Sequence, residues 1–346
     1  MMTRSSILSA TTLLALTSLA SAADMSPVYT KAPPPPPLPQ ASGYVEVYSG
    51  FAWTKDETSN CSLLLSPCSS ETLNFDGWVL GGAGRGNYWF WPNASVQVDA
   101  QAEGTSNHLT SDSASSGHFS THSYLVGGHV NWRDPQRGLL GIFGGAGDAG
   151  GAGLTFFASS QRHGVIGGEG QLYWNQFTFY LQGGYDSTIG NVDFTIDNVH
   201  AWFVRGTGRW YATPNLLLEA TGLYANGQVD FANVCCGDPA SLGFNTWLWQ
   251  AKLEWRPRTI PFSLFAKYQG TQTRYDTLTI PGEATFDQKK TDSRFLIGAR
   301  LYMGEGTLLA NDRHGATLDI IDPLGTPVSP LMFAEPPRIA MGAQGL

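Results

Sequence analysis

After residue 22 the chain has no run of about 18 apolar residues, which excludes a membrane protein built from helices. Charge is sparse, at 14% of residues, yet mean hydropathy is only −0.14 and no long helical period appears. A phosphate-binding G-x-x-x-x-G-K-[ST] loop, H-E-x-x-H, a CxxC pair and the G-x-S-x-G elbow are all missing. There is no basic cluster, and the net charge is −8, so nucleic acid is not an expected partner. No cofactor and no metal are expected. Cysteine is scarce: Cys61, Cys68, Cys235 and Cys236 all fall in Ser/Asn/Gly/Pro-rich segments and suit an exported, oxidising setting. Their spacing matches no zinc pattern. Of the three pairings, Cys61–Cys68 closes a small loop easily, whereas the adjacent Cys235 and Cys236 would strain a bridge.

The N-terminus reads as a secretory signal over residues 1–22. Arg4 is the positive region, Ile7–Leu19 the apolar region, and Ala20-Ser21-Ala22 an A-x-A cleavage site. Its removal takes one Arg and no acid, leaving the mature chain at −9. Residues 23–42 form a Pro-rich linker with Pro33–Pro37 unbroken, an extended polyproline II spacer. It reads as a periplasmic tether, with contact to the cell wall as the alternative role.

What the chain does have is period-two alternation, clearest in Thr246–Thr273. Trp247, Trp249, Ala251, Leu253 and Trp255 share one face of a strand, and Leu248, Gln250, Lys252, Glu254 and Arg256 the other. After a turn closed by Pro257 and Pro261, Phe262, Leu264, Ala266 and Tyr268 alternate with Ser263, Phe265, Lys267 and Gln269. Charged residues are poor material for a dry core. An apolar, Trp-rich side opposite a charged side is the pattern of a strand with lipid outside and polar space inside.

The unit repeats. Five minimal turns are expected at Trp91–Asn93, Arg133–Gly138, Asn175–Gln176, Ala212–Asn215 and Pro257–Pro261. They alternate with six polar inserts at 54–72, 104–117, 148–160, 187–199, 226–243 and 274–292. The expected fold is all-β: a transmembrane antiparallel up-and-down β-barrel of about 12 strands over residues 43–303. Closure removes the free edges that an open sheet of this size would expose. A soluble all-β protein is the alternative, and it does not readily accommodate so many inward charges. Trp89, Trp91, Trp132, Trp174, Trp210 and Trp255 flank the short turns as an interfacial girdle, with Trp53 at the opposite rim. Residues 304–346, without sustained alternation, are expected in the periplasm, as a mobile leash in preference to a plug.

The signal ending in Ala22-Ala23-Asp24, the Pro-rich leader and the repeated Gly/aromatic strands resemble outer-membrane barrel proteins of alphaproteobacteria, in the porin-like group. The resemblance covers about Ala22–Met303 and rests on architecture. The group's usual opening Trp-Thr-Gly-Phe-Tyr is replaced by Gly43-Tyr44-Val45. It implies a surface-exposed barrel of the cell outer membrane, with channel activity in some members and a structural role in others. The partners of such a barrel are outer-membrane lipid and lipopolysaccharide, and the barrel assembly machinery.

The candidate lumen-lining residues are Glu46, Arg85, Asp99, Glu103, Glu169, Arg205, Arg209, Glu219, Lys252, Glu254, Lys267, Arg294 and Arg300, together with Arg256. They either line a water-filled path, the favoured reading, or pair across a narrow lumen and close it. The expected function is a passive narrow channel for ions or small solutes; the alternatives are a structural or adhesive barrel, or a lipid-acting enzyme. His118-Phe119-Ser120 has the His-x-Ser spacing of twelve-stranded outer-membrane phospholipases, but Thr121-His122 replaces their following Asn-Gly. His108, His118, His122 and His129 read as solvated rim residues, and no enzyme is expected.

Overall fold

A computed structural model describes residues 40–62, 68–111, 117–152, 160–189, 196–234, 238–280, 284–304 and 306–319. The expected signal peptide, nearly all of the Pro-rich linker, Cys235 and Cys236, and the tail beyond Asp319 lie outside these residues. The strands are β1 (Ala41–Ser62), β2 (Ser69–Trp91), β3 (Ala94–Ser111), β4 (Gly117–Asp134), β5 (Gly138–Ala152), β6 (Ser160–Trp174) and β7 (Phe177–Thr188). They continue as β8 (Ile196–Thr213), β9 (Leu216–Val234), β10 (Asp238–Trp255), β11 (Phe262–Tyr275), the three-residue β12 (Leu278–Ile280) and β13 (Ala284–Met303). A single helix among the described residues, α1 (Leu308–His314), follows.

Twelve long strands pair antiparallel in chain order, and β1 closes on β13 in unbroken register from Gly43↔Met303 to Ser62↔Ala284. The short β12 adds to β13 beyond the end of β11. The result is a closed up-and-down barrel. The hairpin of β10 and β11 pairs Thr246↔Thr273 through Trp255↔Leu264, and alternation puts Leu253 (49% exposed) outside and Glu254 (0%) inside.

The outer face is apolar, with Val47, Leu80, Leu140, Ile166, Leu181 and Ile297 all exposed. Trp132, Trp174, Trp210 and Trp255 stand exposed beside the short turns, and Trp53, Trp78, Trp202 and Trp247 form a second ring farther along the strands. Two aromatic rings bounding an apolar band are the signature of a bilayer-spanning barrel. Trp89 does not belong to the girdle. It shares the inner face with Arg85 and Asn87, is only 8% exposed, and its Nε1 donates to the His314 carbonyl at 2.8 Å. Trp91, across a register shift, takes the outer place.

Four of the six polar inserts, 54–72, 104–117, 226–243 and 274–292, are strand over most of their length. Thr54–Asn60 pairs residue by residue with Phe75–Ser69, and Lys55–Ser62 with Thr291–Ala284. Beyond the bilayer neither face has to be apolar, and inward residues such as Asp56, Gln288 and Lys290 are buried yet polar, so there is little hydrophobic alternation to report.

Candidate functional site

The inner face gathers the charges, and the chain's own tail fills the end nearest the short turns. Gly304, at φ +112°, turns the chain as it leaves β13; a side chain there would also run into Ser42. Thr307 caps α1 by accepting from Ala310 N–H at 3.0 Å, and Gly315 N–H closes its last turn onto the Asn311 carbonyl at 2.7 Å. The helix is therefore started and stopped by its own sequence. Leu308 and Ala316 pack against Tyr44, Tyr211, Leu217 and Tyr302 of the wall, and Leu318 packs against Leu139 and Tyr180.

Polar contacts to the wall add to this small apolar face. Arg313 Nη2 donates to the Asn175 and Phe177 carbonyls at 3.0 Å each. Arg133 Nη1 donates to the Gly315 carbonyl at 2.7 Å. Asp312 accepts from Thr178 Oγ1 at 2.5 Å and from Arg209 Nη1 at 2.9 Å. Farther in, Asp319 meets three guanidiniums, with Arg205 Nη2 and Arg209 Nη2 at 3.1 Å and Arg85 Nη1 as the third. Gln97 exchanges two bonds with the Leu318 backbone, at 2.8 and 3.2 Å, and Gln182 Nε2 donates to the Asp319 carbonyl at 2.6 Å. Between plug and wall remains a cavity of about 30 Å³ bounded by Arg209, Glu219, Lys252, Glu254, Asn311 and Thr317. That is room for one or two waters and not for a hydrated ion.

Ion pairs line other parts of the inner wall. Arg300 joins Glu46 at 2.6 Å to Glu254 at 2.9 Å, and Lys252 joins Glu254 at 3.6 Å to Glu219 at 3.3 Å. Glu219 also accepts from Arg209 Nε at 2.9 Å. Glu254 further accepts from Ser263 and Tyr302 hydroxyls, both at 2.6 Å. Nearer the long hairpins, Arg294 holds Glu103 at 2.5 Å and Tyr48 donates to Glu103 at 2.8 Å. Lys267 Nζ lies 5.1 Å from the Tyr48 ring centre, and Arg256 stacks 4.7 Å over Tyr302. His129 bridges two carboxylates, Nδ1 to Glu169 at 2.7 Å and Nε2 to Asp99 at 2.8 Å.

A closed barrel with an apolar, girdled outside and a charged inside is an outer-membrane β-barrel. No protein-family model and no curated protein sequence matches the chain. Solved structures do resemble it in part. An outer membrane channel from Pseudomonas putida F1 shares 11% identity over 77% of this chain and 97% of its own, with a TM-score of 0.49. The outer membrane protease OmpT from Escherichia coli shares 10% over 76% and 97%, at 0.35, and a Pseudomonas aeruginosa FadL homologue 9% over 75% and 90%, also at 0.35.

Every candidate lumen residue points inward, but most of the charges are paired instead of lining an open path. Two features went unread in the sequence. The expected leash is, over Thr307–Asp319, the plug itself; Thr307 and Gly315 bracket it as cap and stop, yet seven helical residues are too few to show a period. The interior is also not polar throughout, for Leu125, Phe143, Val165, Phe203, Leu223 and Leu248 form an apolar inner patch from β4 to β10. His118, Ser120 and His122 stand on the exposed face of β4, and the His118 ring faces His108 at 4.8 Å.

Proposed function

We propose that this protein is a passive, narrow outer-membrane channel of the porin-like group, closed in the conformation described by its own C-terminal segment. The observation that carries the reading is the plug's anchorage. Asp312 and Asp319 bind wall arginines, and the contacts are polar, so the segment leaves one aqueous interior for another without exposing a large apolar face. In this reading the short turns and plug face the periplasm, the long hairpins face outside among lipopolysaccharide, and the mature chain follows a cleaved signal. It carries out no catalysis; lipid hydrolysis abolished by Ser120→Ala would reverse that.

Planar-bilayer recordings test the channel. Wild-type protein should show small or rare openings, and Asp312→Asn/Asp319→Asn should raise the conductance. A structural or adhesive barrel is the second reading, favoured by the continuous ion pairing from Glu46 to Asp312. No current above background from either protein selects it.

A further inference from the structure

Strands β2 and β8 lie opposite one another, with five long strands between them each way round the barrel. Arg85 reaches inward from β2, and Arg205 and Arg209, four apart on one face, reach from β8. All three converge on the one carboxylate of Asp319. Guanidiniums from opposite walls meeting at one point define a constriction that anything crossing the lumen must pass. We propose that Arg85, Arg205 and Arg209 form a binding site for small carboxylate anions, occupied in cis by Asp319 and open to a permeating carboxylate once the plug leaves. This rests on the plugged-channel reading.

The wall does not neutralise the trio by itself. Arg209 has Glu219 at 2.9 Å, but among the described residues the only ion-pair partner of Arg85 and of Arg205 is Asp319. Arg205 is 2% exposed, its Nη1 donates to Gln182 Oε1 at 2.8 Å, and its buried Nε has no partner. A departing plug therefore leaves Arg85 and Arg205 without an ion-pair partner among the described residues, with Asp99 across the strand pair from Arg85 as a nearby wall carboxylate, and an incoming carboxylate can restore the lost pairs. The occupant already seated fixes the chemical class, since a planar two-oxygen carboxylate matches the guanidinium fork. The side-chain amides of Gln97 and Gln182, which now hold the backbone on either side of the Asp319 carboxylate, are placed to orient the rest of such a ligand.

The test uses full-length protein in detergent and in bilayers, with succinate as probe. Asp319→Lys sets a cation among three arginines and drives the tail out, which proteolysis of the tail verifies. Calorimetry should detect succinate binding to Asp319→Lys and binding about tenfold weaker or absent in wild type, where Asp319 competes. Adding Arg205→Gln to Asp319→Lys should weaken binding by about tenfold or more, the loss of one charge-assisted contact. In bilayers succinate should block the chloride current of Asp319→Lys. Binding without any current keeps the carboxylate site and removes the channel reading. A current that succinate neither blocks nor is bound by keeps the channel and overturns this site. Equal succinate affinity in wild type and Asp319→Lys, or tighter binding of inorganic phosphate than of succinate, also overturns it.

Discussion

Arg209 Nη1 donates to Asp312 Oδ1 at 2.9 Å, and that bond joins the barrel wall to the plug. The same guanidinium holds Glu219 through Nε at 2.9 Å and Asp319 through Nη2 at 3.1 Å, so one side chain ties three carboxylates together. Removing it strands charges instead of deleting a single contact. Glu219 keeps Lys252 at 3.3 Å, but Asp312, with its side chain 2% exposed, keeps no cation nearer than Arg313 at 4.0 Å.

Arg209→Met is therefore expected to weaken plug docking by about 3–5 kcal/mol, the range for breaking a buried ion pair from one side. Limited proteolysis of the folded barrel should cleave the tail much faster in the variant, while heat-modifiable migration persists. A tail as protected as in wild type would show that packing of Leu308 and Leu318, and not the ion pairs, holds the plug.

Acid should release the plug. Burial pushes the half-buried His314 ring below its ordinary pKa of 6.5. Burial also pushes the Asp312 carboxyl up, but Arg209 and the Thr178 bond outweigh it and hold the group below its ordinary 3.8. In both cases the docked pKa is the lower one, so protons bind the released plug more strongly. Docking is then complete above the free values and weakens as pH falls, first below 6.5 through His314 and then below 3.8 through Asp312. Open probability should rise between about pH 7.5 and about pH 5, and His314→Gln should remove that step. A conductance that falls on acidification in this range would contradict the assignment.

The barrel is legible in the sequence because charge cannot face lipid. Lys252 and Glu254 opposite Leu253 and Trp255 fix both the strand and its faces, and the same logic places Arg85, Arg205 and Arg300 inside. Which charges meet is not legible. Arg85 and Arg205 share Asp319 only because β2 and β8 face one another across the closed barrel, a relation set by strand number and stagger and not by local pattern. Trp89 illustrates a narrower failure: nearness to a turn suggests a girdle, but parity with Asn87 and Arg85 decides its side. The tail's Gly and Pro content points to a leash over a plug, because its helix spans only seven residues, about two turns, too short to show a period.

The register of β1 and β2 also bears on the cysteines. Pairing runs from Ala41↔Tyr88 to Asn60↔Ser69, so Cys61 and Cys68 are the residues next in line after the last pair. Directly opposed antiparallel residues lie about 4.5–5.5 Å apart at Cα, within the reach of a disulfide. Peptide mapping without reductant should recover a Cys61–Cys68 cross-link from protein exported to the periplasm. Full alkylation of both thiols in that material would exclude the bridge.

The face assignment yields the most direct test of the membrane reading. Leu253 is 49% exposed and Ile297 is 58% exposed, both on the apolar outer wall, whereas Gln250 turns inward and lies 3.4 Å from Glu219. An Arg at 253 or 297 must sit in the bilayer, at a loss of about 2–4 kcal/mol near the midplane. An Arg at 250 instead enters a polar interior beside a carboxylate, and its effect on stability should be much smaller. On a soluble β-sandwich, Leu253→Arg would be harmful as well, so the comparison is made on folding into lipid vesicles, followed by heat-modifiable migration. Wild type and Gln250→Arg should insert; Leu253→Arg and Ile297→Arg should insert with the lower equilibrium stability. A mature protein that folds as a soluble monomer without detergent or lipid would place the Trp-rich face in a dry core and overturn the barrel-in-membrane reading altogether.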